Sequence, residues 1–123
     1  MGTSTLSLRR ATLFAVVALS LSGAGAAEGA TYYGTVGPER IITLTTRTGV
    51  RVAKVPSGRH TFVIRDRSYF HNFVLSRGRT RLRWTTLDFL GTVRWTVRIR
   101  PGATYNFFCA SHRKAMHGSF RVG

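Results

Sequence analysis

Residues 92–100, TVRWTVRIR, constrain the fold more than any other stretch of the chain. The apolar side chains Val93, Trp95, Val97 and Ile99 alternate there with arginine and threonine. Because successive side chains of a strand point to opposite faces, a period of two predicts a β-strand with one buried and one solvated face. It is the clearest secondary-structure signal in the sequence.

Other short β-rich runs, separated by turn signals, follow one another along the chain. We expect strands at residues 40–46, 50–55, 60–66, 71–76, 105–109 and 118–122. No segment after the N-terminal region shows a 3.6-residue apolar period, so helices are not expected. Short strands at this spacing predict an all-β fold, an antiparallel Greek-key β-sandwich or barrel.

The N-terminus has the pattern of a secretory signal. Arg9 and Arg10 precede the apolar run 11–21, and the small residues SGAGAAEGA follow. A basic head, a short apolar middle and an A-x-A-like end are typical of a cleaved signal peptide. We therefore assign residues 1–27 to the signal, 28–39 to a flexible linker and 40–123 to a single domain. Export to the periplasm, the cell surface or the extracellular space is the expected localisation.

Cys109 is the only cysteine of the 123 residues. Exported proteins meet an oxidising compartment where cysteines tend to pair, but a lone cysteine has no partner within its own chain. Four alternatives follow: an intermolecular disulfide, a buried inert thiol, a reactive thiol or a metal ligand.

The surroundings of Cys109 favour the metal ligand. His112 follows at C-x2-H spacing and Met116 three residues later, and His71 is the best candidate for a further ligand from elsewhere. Two histidines, a thiolate and a weak thioether form the trigonal blue-copper set, whereas structural zinc takes four firm ligands and iron–sulfur clusters need more thiolates. Gly118 is expected to relieve the backbone where the ligand loop rejoins the sheet.

The sequence resembles plastocyanin- and azurin-type cupredoxins over roughly residues 41–122. The resemblance rests on an upstream His-Asn, then Y-x-F-x-C-x-x-H, then M-x-G-x-[aliphatic or aromatic]-x-V. These patterns fall on His71 and Asn72, on Tyr105, Phe107, Cys109 and His112, and on Met116, Gly118, Phe120 and Val122.

The resemblance implies a cupredoxin-like fold and one type 1 copper ion. His71, Cys109 and His112 would be its equatorial ligands and Met116 its axial ligand. Asn72 would tie the His71 strand to the cysteine loop by hydrogen bonds, and such groups orient ligands and tune the potential. The implied function is that of a small exported blue copper protein that shuttles single electrons by Cu(II)/Cu(I) cycling.

Two residues of the ligand loop depart from the family pattern. Ser111 stands where many relatives have proline, and we hypothesise that its hydroxyl donates a hydrogen bond near the sulfur and raises the potential. His117, directly after Met116, is expected to be a solvated surface residue, with competition for the metal as the alternative. His60, far from the motif, is expected at the surface.

The net charge of +15 gives information about the partners of the protein rather than about its fold. Arg77, Arg79, Arg81 and Arg83 alternate, so an extended chain would project all four on one side. Arg113, Lys114 and His117, beside the second histidine, are candidates for docking an acidic redox partner, through steering that salt weakens. An anionic membrane or envelope surface is a second partner that the charge allows.

Three other classes of function compete with electron transfer. A copper carrier or store that delivers Cu(I) to a partner enzyme would use the same soft ligands. A nucleic-acid-binding module would explain the charge but not the ligand set, and no stacking motif supports it. An enzyme is not expected, because four ligands leave no open position for a substrate. We expect a monomer.

Overall fold

The computed structural model of the protein describes residues 29–123, which form nine β-strands in two sheets. The predicted signal, residues 1–27, lies outside this range. A bilayer crossing by a helix requires a long apolar one, and residues 29–123 contain none that qualifies. The strands are β1 (Thr31–Val36), β2 (Ile42–Thr45), β3 (Lys54–Val55), β4 (Gly58–Asp66), β5 (Val74–Arg77), β6 (Thr80–Trp84), β7 (Gly91–Ile99), β8 (Tyr105–Phe108) and β9 (His117–Val122).

The two sheets pack face to face, which confirms the prediction of an all-β sandwich. The strand orders are β2-β1-β4-β7 and β3-β9-β8-β5-β6. Both sheets are mixed, because β1 runs parallel to β4 and β3 runs parallel to β9, while the remaining pairs are antiparallel as expected.

The expected linker at residues 28–39 is wrong for Thr31–Val36. These six residues form β1, which lies between β2 and β4 in the first sheet. The segment is rich in glycine, yet Tyr32 and Val36 alternate with partly buried residues and reach the core. Pairing with the nine-residue β4 supplies hydrogen bonds that the local sequence does not reveal.

The alternation at residues 92–100 produces β7 as predicted. Trp95, Val97 and Ile99 are buried, and Val93 packs against the core from its edge. Phe107 and Phe73 stack in the sandwich core, with ring centroids 5.6 Å apart and planes at 6°. Burial of such side chains is the main favourable term in the folding of a small sandwich.

His60 is buried rather than at the surface, with 6% of its area exposed. Its Nδ1 accepts a hydrogen bond from the Ala30 amide at 3.0 Å, and its Nε2 lies 2.7 Å from the Pro56 carbonyl oxygen. The ring meets Tyr32 edge to face, with centroids 5.7 Å apart. The expectation failed because His60 sits in a nine-residue strand whose inner face takes every second residue, so both ring nitrogens had to find partners inside.

The four alternating arginines do not share one side. Arg77 ends β5, Arg79 lies in the following turn, and Arg81 and Arg83 belong to β6. The β5–β6 pairing shifts register between Leu75 and Ser76. A hairpin turn and a β-bulge therefore separate side chains that an unbroken strand would have aligned.

One end of the sandwich collects the start of β5, the end of β8 and the start of β9. Val74 pairs with Phe108, and Phe108 pairs with His117. Residues immediately outside these pairs, before β5 and between β8 and β9, are thereby brought together. We call this end the metal pole, since the sequence-predicted ligands lie there.

Candidate metal centre

The loop between β8 and β9 holds Cys109 and His112 in a closed turn. The His112 amide donates to the Cys109 carbonyl at 3.1 Å, and the Met116 amide donates to the His112 carbonyl at 2.8 Å. The Cys109 amide donates to the Met116 carbonyl at 3.1 Å, which closes the loop at its base. These bonds fold eight residues back on themselves and bring the thiol and the imidazole to one side.

His71 lies in the irregular segment that leads into β5, the strand that pairs with β8. Three potential ligand atoms, from His71, Cys109 and His112, lie within 4.8 Å of one another. The Cys109 sulfur is 3.7 Å from Nδ1 of His71 and 3.8 Å from Nδ1 of His112. The two Nδ1 atoms are 3.2 Å apart. The structure therefore brings together the three residues that the sequence predicted as equatorial ligands.

The dimensions of this triangle suit a transition-metal ion. An ion about 2.0 Å from each nitrogen and about 2.3 Å from the sulfur, in trigonal geometry, leaves nitrogen–sulfur edges of roughly 3.7 Å. The donor set is one soft sulfur and two imidazoles, which suits copper and zinc rather than magnesium or calcium. Cys109 is fully buried and His71 nearly so, while His112 is half-buried.

Burial lowers the pKa of His71, and the positive charges of His112 and Arg40 lower it further, against a raising contribution from Asp66. The neutral imidazole, which is the form that binds metal, is thereby favoured. Burial and the neighbouring charges thus prepare His71 to act as a ligand at neutral pH.

A chain of hydrogen bonds supports the two ligand segments. Asn72 Oδ1 accepts from the Ala110 amide at 2.8 Å, and Asn72 Nδ2 donates to the Thr85 carbonyl at 3.0 Å. The Thr85 hydroxyl donates to Asp66 Oδ2 at 2.7 Å and accepts from the Phe73 amide at 2.9 Å. This network links the residue after His71 to the residue after Cys109, the arrangement expected for Asn72.

Sequence reasoning missed Thr85 and Asp66. Both are buried, with 5% and 1% of their areas exposed. Thr85 lies in a segment with no clear periodicity, and Asp66 is a lone acid at the end of β4. The sequence offered one signal for Asp66: an acid in so basic a chain is a candidate for burial with a hydrogen-bond partner or for an ion pair.

Ser111 lies beside the sulfur. Its hydroxyl oxygen is 3.5 Å from the Cys109 sulfur and 3.4 Å from Nδ1 of His112. Met116 is 1% exposed and belongs to the same buried cluster as Cys109. The loop thus presents a hydroxyl near the sulfur and buries a thioether at its base.

His117 stands apart from the cluster. It is exposed, its Nδ1 lies 3.1 Å from the Lys114 carbonyl oxygen, and it lines a surface cleft with Phe108, Arg113 and Lys114. The Arg113 guanidinium lies over the Phe108 ring at 4.0 Å from its centroid, within cation–π distance. Arg81 approaches the same ring at 5.9 Å. Among the described residues, the ligand cluster contains His71, Cys109 and His112 but not His117.

Large apolar side chains are exposed next to the ligand segments. Tyr69 and Phe70, 61% and 77% exposed, immediately precede His71. Trp84 and Leu87, 51% and 45% exposed, flank Thr85, whose backbone pairs with Phe73. Apolar side chains exposed together beside a site are candidates for contact with a partner.

Gly118 serves packing rather than backbone freedom. A Cβ at this position would lie 2.3 Å from Cζ of Phe107, and Gly118 pairs directly with Phe107 in the β8–β9 ladder. The aromatic ring therefore occupies the space that a side chain would need. The expectation that Gly118 relieves a backbone turn is corrected, because it lies inside β9.

No protein-family model matches the sequence. A comparison with curated protein sequences finds no significant match either. Similarity appears among solved structures. Auracyanin B superposes with a TM-score of 0.56 at 17% identity, covering 81% of this chain and 93% of auracyanin B. The copper protein rusticyanin superposes with a TM-score of 0.57 at 15% identity, covering 85% of this chain and 86% of rusticyanin.

At these identities the superpositions establish the architecture. They extend over most of both chains, so the likeness concerns the whole sandwich rather than one motif. Together with the strand order and the pole at which the ligand loop lies, they confirm the fold that the sequence motifs implied. The described part of the chain has the cupredoxin fold.

Proposed function

We propose that this protein is a blue copper protein that carries single electrons. The observation that carries the proposal is the convergence of one thiol and two imidazoles within 4.8 Å. His71, Cys109 and His112 would hold one copper ion, which would supply the Cu(II)/Cu(I) couple. The similarity to rusticyanin, a copper protein, supports the choice of copper.

The rigid ends of paired strands make this ligand set suitable for rapid electron transfer. His71 is fixed through its neighbour Asn72, and Cys109 is fixed by the backbone bond to Met116. Ligands that are already held in position change little between oxidation states, so little reorganisation accompanies electron transfer.

Met116 is proposed as the weak axial ligand. It is buried in the cluster that contains Cys109, and its amide and carbonyl groups both bond to the ligand loop. Ser111 is proposed to modulate the site through its hydroxyl, 3.5 Å from the sulfur. A thioether and a hydrogen-bond donor at the sulfur are both recognised means of tuning a copper potential.

Electrons are proposed to enter and leave through His112, which is the least buried of the three ligands. The apolar patch formed by Tyr69, Phe70, Trp84 and Leu87 would provide close contact with a partner. Arg113 and Lys114 would attract an acidic redox protein, with His117 at the edge of the contact. Association is then expected to slow as ionic strength rises, and a rate indifferent to salt would contradict this docking mode.

An exported location is proposed from the N-terminal signal pattern. Removal of residues 1–27 would leave the described strands intact, since the first of them begins at Thr31. Mass spectrometry of the protein secreted from its native host would give the cleavage site, and recovery of the uncleaved chain in the cytosol would contradict the assignment.

One titration tests the central proposal. The purified chain with one equivalent of Cu(II) is expected to turn intensely blue through thiolate-to-copper charge transfer. Cys109→Ser is expected to remain colourless while keeping its strand content by circular dichroism. Ser119→Ala, on the exposed side of β9, is the matched control and should stay blue. A colourless wild type that binds zinc tightly would overturn the proposal.

The rate at which the protein gives up its copper distinguishes an electron carrier from a copper carrier. The reduced protein is expected to retain Cu(I) against a competing chelator and to cycle rapidly with an artificial oxidant. Ready loss of Cu(I) to the chelator, with slow electron exchange, would assign the site to copper delivery instead.

A further inference from the structure

A groove lined by arginines lies at the open side of the sandwich. The edge strands β6 and β7 belong to different sheets, and the space between them has a volume of about 320 Å³. Arg83 reaches across it, with Nη2 3.5 Å from the Thr96 carbonyl oxygen of β7. The residues that matter for its chemistry are Arg77, Arg83, Arg98, Arg100 and Tyr105.

Four arginines line this groove and no aspartate or glutamate does. Arginine keeps its charge at all accessible pH values, so the positive charge cannot be lost by deprotonation. Of the three acids in the described range, Asp66 is buried against Thr85, Asp88 accepts a hydrogen bond from Thr86, and Glu39 lies in the turn between β1 and β2. The groove therefore concentrates positive charge that an anion would offset.

Arg77 gives the groove a directed donor. Its Nη2 is 3.5 Å from the Pro101 carbonyl oxygen, and its Nε is buried without a hydrogen-bond partner among the described residues. Buried donors are almost always satisfied, so the unpaired Nε marks a guanidinium that contacts within the chain hold incompletely. An oxyanion can accept from the two terminal nitrogens of a guanidinium together, in a forked geometry that arginine favours.

The wall of the groove is fixed by Tyr105. This side chain is fully buried, and its hydroxyl accepts a hydrogen bond from the Arg100 amide at 2.8 Å. The bond positions the backbone on which Arg98 and Arg100 stand. Because the ring is enclosed, it offers no face on which a nucleic-acid base could stack, so the groove favours a compact anion over a single-stranded nucleic acid.

The part of the groove around Arg77, Arg100 and Tyr105 lies away from the metal pole. Tyr105 begins β8 and Cys109 follows its end, so four residues of extended chain, roughly 13 Å, separate them. Arg77 and Arg100 lie toward the same distant end, since Arg77 pairs with Tyr105 and Ile99 pairs with Gly58 at the start of β4. A ligand in the groove would leave His71, Cys109 and His112 accessible to a redox partner.

We propose that this groove binds a phosphate-bearing anion. Phosphate carries the charge and the paired oxygen acceptors that guanidinium groups recognise, and a lone carboxylate would leave most of the four arginines without an acceptor. A soluble polyphosphate and the headgroup of an anionic lipid present this same phosphate chemistry, and the experiments below distinguish the two sources. The inference does not depend on copper at the metal pole.

Calorimetric titration with inorganic tripolyphosphate tests the proposal. The full chain is used without metal, because polyphosphates chelate copper. One binding site per chain is expected, and Arg77→Gln combined with Arg100→Gln should weaken binding by about tenfold or more. Arg47→Gln with Arg121→Gln removes the same charge from exposed positions outside the groove and should change affinity by less than about twofold.

Equal weakening by both pairs, or binding of many tripolyphosphates per chain, would overturn the proposal in favour of non-specific attraction. Arg98→Gln with Arg100→Gln serves as a second groove variant, because both side chains are exposed and their loss leaves the core intact. Unfolding midpoints of all variants verify the fold. A groove pair that folds normally and binds like wild type also counts against the site.

Vesicles identify the source of the phosphate. Co-sedimentation compares phosphatidylcholine vesicles with vesicles that contain phosphatidylglycerol. Groove-dependent binding to the anionic vesicles, displaced by tripolyphosphate, would assign the groove to lipid headgroups. The alternative outcome has two parts. The groove variants and the control variant reduce vesicle binding equally, while tripolyphosphate binding still depends on the groove. That result would assign the groove to a soluble phosphate.

Discussion

The side chain of Asn72 is hydrogen-bonded to the backbone of Ala110, with Oδ1 2.8 Å from the amide nitrogen. Asn72 follows His71, and Ala110 follows Cys109, so one hydrogen bond connects two segments that are 38 residues apart. Its Nδ2 group is held by the Thr85 carbonyl at 3.0 Å. The distance between two proposed ligands is thus set by a residue that contributes no ligand atom.

Asn72→Ala is expected to destabilise the metal-free protein by about 1–3 kcal/mol, because the Thr85 carbonyl and the Ala110 amide lose their partners. Denaturant unfolding measures the loss. Asn106→Ala, the same change on the outward side of β8, is the control and should cost less than about 0.5 kcal/mol. Equal effects at the two positions would show that the cross-link contributes nothing particular.

Ser111→Ala is expected to lower the reduction potential of the copper-loaded protein. A hydroxyl that donates to the sulfur stabilises the electron-rich reduced site, so its removal favours Cu(II). If the bond is worth about 1 kcal/mol, the shift is roughly 40 mV by cyclic voltammetry. Ser111→Thr retains the hydroxyl and should stay near wild type. An unchanged potential in the alanine variant would remove Ser111 from the tuning of the site.

Gly118→Ala is expected to cost about 1–3 kcal/mol of unfolding free energy through overpacking. The new methyl would lie 2.3 Å from Cζ of Phe107, a ring already stacked on Phe73. In a Phe107→Leu background the additional loss should shrink, since the clashing ring is gone. Additive losses in the double variant would place the cause in the backbone instead.

Asp66 is expected to give the metal-free protein a measurable pH dependence. Burial raises the pKa of Asp66 above 3.8, against the lowering effect of hydrogen bonds from Thr85 and Ser68. Because the folded state holds its proton more firmly, the contribution of Asp66 to stability is fully present below pH 3.8 and is lost as pH rises through the folded pKa. As pH rises from 3.8 through the folded pKa of Asp66, the unfolding free energy of wild type should therefore fall relative to that of Asp66→Asn. A pH-independent difference in unfolding free energy between the two would contradict the buried carboxyl.

Substitution of His112, but not of His117, is expected to change the blue absorption. His117→Ala should leave the blue absorption of the copper-loaded protein intact, because its ring faces the surface cleft. His112→Ala should abolish or strongly alter the absorption, since its Nδ1 lies 3.8 Å from the Cys109 sulfur. Visible absorption and electron paramagnetic resonance report both changes. Loss of colour in the His117 variant would make that residue a ligand.

The sequence alone determined the features that depend on near neighbours along the chain. The alternation at residues 92–100 predicted β7, and C-x2-H spacing predicted a loop able to present Cys109 and His112 together. The family resemblance added Asn72, and it gave an equatorial role to His71, already the best candidate for a ligand from elsewhere in the chain. The proposed axial role of Met116 rests on that same resemblance.

The tertiary structure decided what depends on contacts between distant segments. The linker became β1 because β4 offered it a partner, and His60 turned inward because its strand spans the core. A bulge separated arginines that alternate in sequence, and the edges of two sheets then brought two of these, Arg77 and Arg83, to one groove with Arg98 and Arg100. Thr85 and Asp66 joined the support of the metal pole in the same way. Short-range periodicity fixes which face a side chain takes within a strand, whereas its neighbours depend on which strands pair and in what register.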